Sequence, residues 1–386
     1  MNIQEEDREF IAGTYKRFPV VIVSGKGSLL TDENGKNYID MGAGIAVNSF
    51  GAADEIWQQA VIEQIGKVQH TSNLYYSEPC AKLAHMLCNR TGMKKVFFSN
   101  SGAEANECAF KVARKYAADK KGPEYFNIIT LINSFHGRTL TCLSATGQEH
   151  YHELFQPLTP GFLHAEANNL DDIKTLIANN KVAAVMIECI QGEGGVIALN
   201  KDYVQALAEY VKEKDILLIV DEVQAGNGRS GQLYSYMNYG IKPDVVSTAK
   251  GLAGGLPIGA TLLGEKVQNV LGPGDNGSTF GGNLVSCAAG VSILNRIDEK
   301  LLSEVREKSK YLFDTFTNSE GIEEVSGMGL MMGLKTTKPA SEVVNACIEK
   351  GVLCLTAKDR IRLLPALNIP MDLLKKAAEV IKNCCR

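Results

Sequence analysis

The sequence lacks the charge pattern and the long apolar runs that mark several classes of protein. Its 386 residues carry 40 basic and 44 acidic side chains, a formal net charge of −4, so there is no basic excess of the kind that binds nucleic acid or an anionic membrane. The acidic start, residues 1–8, has no signal-peptide pattern, which predicts a cytoplasmic protein. The longest uncharged run, residues 276–295, holds four glycines and predicts a glycine loop followed by a buried helix, not a membrane span. The composition therefore favours a small-molecule partner.

Cysteine is present ten times, but no C-x-x-C pair occurs. Several cysteines lie inside apolar stretches and are typical of small core residues in a reducing compartment: Cys108, Cys142, Cys189 and Cys287. We expect the adjacent Cys384 and Cys385 at the tail to be exposed thiols. His150 and His152 have no neighbouring ligand cluster in the sequence, so no metal site is predicted.

Segments rich in β-branched residues alternate with helical patterns between residues 94 and 265. The predicted strands are 95–99, 127–132, 182–187, 216–220, 244–247 and 258–263, and helical patterns cover 103–118 and 203–214. Such alternation indicates an α/β domain with a mostly parallel sheet and functional sites at the carboxyl ends of its strands.

The pattern changes after the helix predicted at 283–297. Residues 299–386 carry charged helices, a short apolar segment at 327–333 and a final helix from Pro370, while residues 25–40 predict strand, turn, strand. The length exceeds one usual core. We therefore predict an N-terminal segment (1–50) that joins a smaller C-terminal α+β domain (291–386), with a large domain (51–290) between them.

Lys250 and Asp221 are the most informative pair. Asp221 follows the apolar run 216–220, and Lys250 ends the segment 243–250, which is 29 residues later (250 − 221). Pyridoxal phosphate (PLP) needs an amine that forms a Schiff base with its aldehyde and a carboxylate that keeps its pyridine nitrogen protonated. Taken alone, the pair is more often a solvated strand end.

Two further segments follow predicted strands and suit a cofactor. Residues 99–106, Ser-Asn-Ser-Gly-Ala-Glu-Ala-Asn, open a helix whose first N–H groups could bind a phosphate, although a plain helix cap is the simpler alternative. In the segment 135–138, Phe135 could lie on a planar ring and Arg138 offers a fork for a carboxylate. The alternative interpretation, in which Phe135 is a core aromatic and Arg138 is a surface arginine, remains open.

Three other segments carry polar groups in unusual settings. Glu193 lies in the glycine-rich stretch 188–195, where a solvated loop glutamate is the commoner case. Arg362 stands in an apolar segment, and a buried arginine requires an anionic partner. Ser278 and Thr279, in the glycine loop 277–282, could donate to a phosphate or a substrate, or form a plain turn.

Together, in this order, these segments resemble the motifs of class III PLP-dependent aminotransferases of fold type I. The motifs are Ser-Gly-Ala-Glu-Ala-Asn, Phe-His-Gly-Arg, Glu-x-x-Gln-Gly-Glu-Gly-Gly, Asp-Glu-Val-Gln, Ala-Lys-Gly, Gly-Ser-Thr-Phe-Gly-Gly-Asn and Arg-Leu-x-Pro, and the resemblance runs from about Gly25 to the end. It implies a large domain with a mostly parallel sheet, a smaller α+β domain built from both termini, and PLP as the cofactor.

The resemblance implies roles around the cofactor ring. Lys250 would bind the aldehyde, and Asp221 would pair with the pyridinium nitrogen. Phe135 and Val223 would enclose the ring, with Gln224 near its phenolic oxygen.

The resemblance also implies how the phosphate is held. The amides of Gly102 and Ala103 would bind it, helped by Thr279 from a neighbouring subunit. A homodimer with an active site shared between subunits is therefore expected.

For the substrates, the resemblance implies that Arg138 binds the distal carboxylate and Arg362 the α-carboxylate of glutamate, with Glu193 neutralising Arg362 when no carboxylate is present. Ile45 favours the subgroup that moves the terminal amino group of N2-acetyl-L-ornithine to 2-oxoglutarate. Succinylornithine, succinyl-diaminopimelate, ornithine and 4-aminobutyrate remain alternative donors. A PLP-free α/β protein that binds a phosphorylated ligand is the alternative from a different class.

Overall fold

The computed structural model describes residues 2–386. Its strands are β1 (Ile22–Lys26), β2 (Leu29–Asp32), β3 (Asn37–Asp40), β4 (Lys95–Ser99), β5 (Asn127–Leu131), β6 (Phe162–Ala165), β7 (Val182–Ile187), β8 (Ile190–Gln191), β9 (Ile197–Ala198), β10 (Leu217–Asp221), β11 (Val245–Ala249), β12 (Gly259–Leu263), β13 (Ile322–Met328), β14 (Met331–Thr336), β15 (Val352–Leu353), β16 (Leu355–Ala357) and β17 (Arg360–Leu363).

Its α-helices are α1 (Ile3–Phe10), α2 (Ala43–Ala46), α3 (Glu55–Lys67), α4 (Glu78–Thr91), α5 (Gly102–Lys121), α6 (Leu140–Ala145), α7 (Leu170–Asn179), α8 (Lys201–Glu213), α9 (Leu284–Arg296), α10 (Glu299–Phe316), α11 (Ala340–Glu349) and α12 (Met371–Cys385).

A seven-stranded sheet, in the order β4-β12-β11-β10-β7-β5-β6, forms the centre of the large domain. Every residue of β7, β10, β11 and β12 is buried, as expected for apolar strands covered on both faces. Neighbouring residues of β7 contribute to two different hydrophobic clusters, one on each face of the sheet. Ala184 and Met186 pack in the cluster that contains the buried face of α5, and Val185 and Ile187 pack in the larger cluster on the other face.

The strand directions bring several chain segments to one edge. β10 pairs in parallel with β11 and β7, and β5 pairs in parallel with β7 and β6. β12 is antiparallel to both β11 and β4, so β4 runs in the same direction as β11. The carboxyl ends of β4, β11, β10, β7 and β5 therefore meet at the same edge of the sheet.

Both ends of the described chain contribute to a second, smaller unit. β3 pairs in parallel with β15, with Ile39 opposite Val352 and Asp40 opposite Leu353, and β13, β14, β17 and β16 form a separate antiparallel sheet. The predicted fold class, a mostly parallel α/β domain with a smaller α+β domain built from both termini, is confirmed. The boundaries at residues 50 and 290 stay a prediction; α9 runs through residue 290.

Two features differ from the sequence-based expectations. The strand β6, at the edge of the large sheet, was not predicted. The expectation that Cys384 and Cys385 are exposed is wrong, because both are buried. They lie on the face of α12 that also buries Leu374, Ala377 and Ile381, at the three- and four-residue spacing of an amphipathic helix.

The ten cysteines within residues 2–386 are all free thiols. Cys108, Cys142, Cys189 and Cys287 are buried, as predicted. Over the same residues, none of the helices has the length and apolarity needed to cross a membrane, and no group of three or more potential metal ligands is found.

Candidate active site

A cavity of about 440 Å³ opens at the edge where the strand ends meet. Predicted site residues line much of it: Gly102, Ala103, Phe135, Arg138, Asp221, Val223, Gln224 and Lys250. Each lies just after a strand or at the end of one, following β4, β5, β10 or β11. The topology therefore brings together side chains that are up to about 150 residues apart in the sequence (250 − 102).

Lys250 follows β11 directly and adopts a backbone φ of +47°. This left-handed conformation is uncommon for a residue with a Cβ and is often found at functional sites. Burial lowers the pKa of the Lys250 amine below its usual value, although the charge of Glu193 acts in the opposite direction. A neutral amine, which a nucleophile or a base needs, is thereby favoured.

Asp221, the last residue of β10, is buried and hydrogen-bonded on both carboxylate oxygens. Oδ1 accepts from the backbone N–H of Val223 at 2.9 Å. Oδ2 lies 2.8 Å from Nδ2 of Asn106 and 2.8 Å from Nδ1 of His136. The carboxylate is thus fixed in one orientation at the cavity wall.

The start of α5 leaves backbone donors at the cavity. Ser101 caps the helix, its Oγ accepting from the N–H of Glu104 at 3.1 Å, and its carbonyl accepts from the N–H of Ala105. Within residues 2–386, the N–H groups of Gly102 and Ala103 have no hydrogen-bond partner. Unpaired amides at a helix N-terminus are suited to a phosphate.

Gly102 is required at this position by its neighbour Val223. A Cβ at residue 102 would lie 2.7 Å from Cγ1 of Val223, closer than carbon atoms pack. The missing side chain lets the start of α5 approach the apolar wall that Val223 and Phe135 give the cavity.

Arg362, Glu193 and Gln224 form a polar cluster beside the cavity. Nη1 of Arg362 donates to Oε1 of Glu193 at 2.5 Å and to Oε1 of Gln224 at 3.1 Å, and Nε2 of Gln224 donates to Glu193 at 3.2 Å. Burial acts to raise the pKa of Glu193, but the charge and hydrogen bond of Arg362 help to outweigh burial, and the net pKa is lowered. Gln224 lines the cavity directly, so the ion pair adjoins it.

Arg138 is exposed at the mouth of the cavity. Its guanidinium carbon lies 4.2 Å from the ring centre of Tyr151 and 5.4 Å from that of Phe135. The two rings pack edge to face, with centroids 5.8 Å apart. Cation–π contacts of this kind orient the guanidinium and leave its N–H groups free for an anion.

Ser278 and Thr279 occupy a loop near the start of α5. The Oγ of Ser278 accepts from Nδ2 of Asn100 at 3.0 Å and from the N–H of Gly281 at 3.0 Å. Thr279 is exposed and does not line the cavity of its own chain.

Four residues at the site were not assigned roles from the sequence. Asn106, His136 and Glu188 occur inside the motifs above, but their side-chain contacts were not predictable from spacing. Glu188 lines the cavity, accepts from the N–H of Phe135 at 2.9 Å, and burial raises its pKa to about 7. Tyr151, which packs on Arg138, lies outside every motif, and no sequence signal pointed to it.

An α/β sheet with a buried amine, a fixed carboxylate and free helix amides around one cavity is the arrangement of a PLP-dependent enzyme. The family model for class III aminotransferases matches residues 10–385. This chain belongs to the class III aminotransferases. It is a PLP-dependent transaminase, and the PLP-free alternative is excluded.

Known proteins similar to this chain fall in the same family. An acetylornithine aminotransferase of Haemophilus ducreyi is 48% identical over 381 residues, covering 98% of this chain and 97% of that protein. The crystal structure of the ornithine aminotransferase from Toxoplasma gondii superposes with a TM-score of 0.95 at 31% identity, covering 99% of this chain and 94% of that chain. That of the N-acetylornithine aminotransferase from Stenotrophomonas maltophilia gives a TM-score of 0.86 at 33% identity, covering 98% and 97%.

Proposed function

We propose that this enzyme transfers the terminal amino group of N2-acetyl-L-ornithine to 2-oxoglutarate, giving N-acetyl-L-glutamate 5-semialdehyde and L-glutamate. The 48% identity to the acetylornithine aminotransferase of Haemophilus ducreyi supports this donor. The observation that carries the proposal is the presence of two arginines of different character beside one cavity: Arg138 is free, and Arg362 is paired with Glu193.

The residues around the cavity fit PLP. The free amides of Gly102 and Ala103 would hold its phosphate, and Phe135 and Val223 would enclose its ring. Asp221 would pair with the ring nitrogen, and Gln224 would approach the phenolic oxygen. When bound, PLP supplies an electron sink that stabilises negative charge on the substrate carbon bearing the amine.

Lys250 serves as the covalent anchor and as the proton carrier in this proposal. Its Nζ, whose pKa is lowered by burial, would take the proton from the substrate carbon that bears the amine and pass it to the cofactor carbon in the same half-reaction, and would carry it the opposite way in the other half. Its position directly after β11 places the amine in the same cavity as Asp221 and Gln224.

The two arginines divide the substrates. Acetylornithine and 2-oxoglutarate each carry a carboxylate distant from the reacting carbon, and Arg138 would bind it in both. Only glutamate and 2-oxoglutarate carry a second carboxylate beside that carbon, which Arg362 would bind after Glu193 moves away. With acetylornithine, the Arg362–Glu193 pair stays closed, so no charge is left unpaired.

We further propose a homodimer in which Thr279 of one subunit, with Ser278 beside it, completes the phosphate or substrate site of the other. Thr279 and Phe280 are exposed, as are Leu74, Tyr75 and Tyr76. Nδ2 of Asn73 donates to the carbonyls of Ser278 and Gly281, both at 2.9 Å, which joins the two segments into one surface. An exposed apolar patch of this kind is typical of a subunit interface. The cytoplasmic location stays a prediction.

Complementation tests the shared site. Lys250→Ala and Thr279→Arg chains should each be inactive alone. In a mixed dimer, one of the two sites combines a wild-type Lys250 with a wild-type Thr279, so about half of the wild-type activity per dimer should return. No recovery in verified mixed dimers would contradict the shared site.

A donor panel tests the proposed reaction. Purified enzyme with PLP and 2-oxoglutarate is given acetylornithine, succinylornithine, succinyl-diaminopimelate, ornithine or 4-aminobutyrate, and glutamate formation is measured. Acetylornithine should give the highest kcat/KM. A higher value with ornithine or 4-aminobutyrate would overturn the proposed donor while leaving the family assignment intact.

A further inference from the structure

His136 contacts the one carboxylate that the proposed chemistry needs most. Its ring is fully buried, and Nδ1 lies 2.8 Å from Oδ2 of Asp221. The backbone of the same residue is also held, because its N–H donates to Oγ1 of Thr146 at 2.9 Å and its carbonyl accepts from Nδ2 of Asn106 at 2.7 Å. The ring therefore has little freedom to turn away from Asp221.

The hydrogen-bond geometry assigns the ring proton. An ionised carboxylate only accepts hydrogen bonds, so Nδ1 of His136 must be the donor to Asp221. Nε2 of His136 is buried and has no partner within residues 2–386. The contact with Asp221 therefore requires a proton on Nδ1 of the His136 ring.

We propose that His136 is a positioning residue that, together with Asn106, holds the carboxylate of Asp221 ready for the ring nitrogen of PLP. His136 and Asn106 both donate to the same oxygen of Asp221, Oδ2, while the N–H of Val223 donates to Oδ1. A charge held in place before the cofactor binds needs no reorganisation when it stabilises the pyridinium. This inference rests on the proposed role of Asp221.

The alternative is that His136 only fills space in the core. Three variants separate the two roles. His136→Asn keeps a donor near the position of Nδ1, His136→Gln places its amide near the position of Nε2 instead, and His136→Leu fills a similar volume with no donor. If the donor matters, His136→Asn should rescue what His136→Leu and His136→Gln lose.

The experiment uses two readouts that do not depend on turnover. Apoprotein is titrated with PLP by visible absorbance to obtain the dissociation constant, and the protonation of the ring nitrogen is followed by NMR with 15N-labelled PLP. His136→Leu and His136→Gln should bind PLP about ten-fold more weakly or worse, as for outer partners of metal ligands, and should shift the ring nitrogen towards its unprotonated signal. His136→Asn should stay within about threefold of wild type.

The controls separate this inference from the proposal beneath it. His164→Leu removes a histidine whose Nδ1 lies 2.8 Å from Oγ1 of Thr130 and which makes no hydrogen bond to Asp221. This variant should leave both the PLP dissociation constant and the ring-nitrogen signal unchanged. If Asp221→Asn leaves the ring nitrogen protonated, the assignment of Asp221 fails. If Asp221→Asn deprotonates the nitrogen but His136→Leu matches wild type, or if His136→Asn is as weak as His136→Leu, the positioning role of His136 is overturned. Should His136→Leu fail to fold, the comparison of His136→Asn with His136→Gln decides.

Discussion

Lys250 combines a left-handed backbone with a buried amine of lowered pKa. Its conformation is costly for a residue with a side chain, so the surrounding fold must impose it. Asn227 contributes to this, because its Nδ2 donates to the carbonyl of Ala249 at 3.1 Å and to Oγ1 of Thr248 at 3.1 Å. The end of β11 is thereby held in the orientation that aims residue 250 into the cavity.

Replacing Lys250 with alanine should abolish transamination, because the covalent anchor and the proton carrier are lost together. The fold should persist, since no described hydrogen bond depends on the amine. Initial rates with acetylornithine and a thermal unfolding curve would measure both effects. Lys174→Ala, on the exposed surface of α7, is the matched control and should keep full activity. Turnover by the Lys250→Ala variant near that of wild type would refute the assignment.

Tyr151 should set the affinity of Arg138 for carboxylates. Removing the ring in Tyr151→Leu takes away the surface on which the guanidinium lies, an interaction on the order of 1 kcal/mol. KM for both acetylornithine and 2-oxoglutarate should rise severalfold, with a smaller effect on kcat. Tyr151→Phe keeps the ring and should resemble wild type. Equal KM values in the two variants would show that the ring does not orient Arg138.

At the scale of elements, β17 and the turn between β8 and β9 supply the two halves of one ion pair, Arg362 and Glu193. Arg360 and Arg362 are alternate residues of β17, so their side chains point to the same face of the strand. The two arginines have different partners: Arg360 donates to Glu324 at 2.6 Å and to Ser326 at 3.2 Å, whereas Arg362 pairs with Glu193. The strand thus carries one structural arginine and one beside the cavity.

Arg362→Ala should impair the half-reaction with glutamate or 2-oxoglutarate far more than the one with acetylornithine. Losing a paired carboxylate contact should cost about 2–5 kcal/mol of binding or transition-state stabilisation in that half-reaction. Glu193→Gln should favour the dicarboxylates over acetylornithine, because Arg362 is then always available. Single-turnover rates for each half-reaction would measure the ratio. Arg360→Ala, on the same strand, should leave that ratio unchanged. An Arg362→Ala defect equal in both halves, or an unaltered ratio in Glu193→Gln, would contradict this division.

At the scale of the whole molecule, buried carboxyl groups make stability depend on pH. Burial raises the pKa of Glu188 and of Glu222 to about 7 in each case. Glu188 faces His136 and Asp221, and Glu222 accepts three hydrogen bonds from Ser235 and Tyr236. Above the ordinary carboxyl pKa, the unfolded chain releases protons that the folded chain still holds. Raising the pH therefore favours unfolding until both groups have ionised in the folded state.

The free energy of unfolding of the apoprotein should fall between about pH 5 and pH 7, by on the order of 1 kcal/mol per pH unit for each group. Urea unfolding at several pH values would measure this slope. Glu188→Gln and Glu222→Gln should each flatten it, whereas the exposed Glu153→Gln should not. A stability that rises over this range would show that these carboxyl groups are already ionised in the folded protein.

The sequence predicted six of the seven strands of the large sheet, all but β6, because continuous apolar runs and glycine-rich ends are local signals. It also predicted eight of the residues that line the cavity, since each of them follows a strand. It could not predict that His136 and Asn106 meet Asp221, or that Tyr151 packs on Arg138, because those contacts depend on side-chain directions across distant segments. The expectation of an exposed tail at Cys384 and Cys385 is wrong for a different reason: the helical spacing that continues from Leu374 places both residues on the buried face of α12.

In the proposed reaction, one cavity alternates between an amino donor and a keto acid. The most direct test is a single-turnover experiment in which PLP-loaded enzyme receives acetylornithine without 2-oxoglutarate. About one semialdehyde per subunit should form and then no more, followed by further turnover and glutamate release once 2-oxoglutarate is added. Continuous semialdehyde formation without the acceptor, or none until both substrates are present, would contradict it.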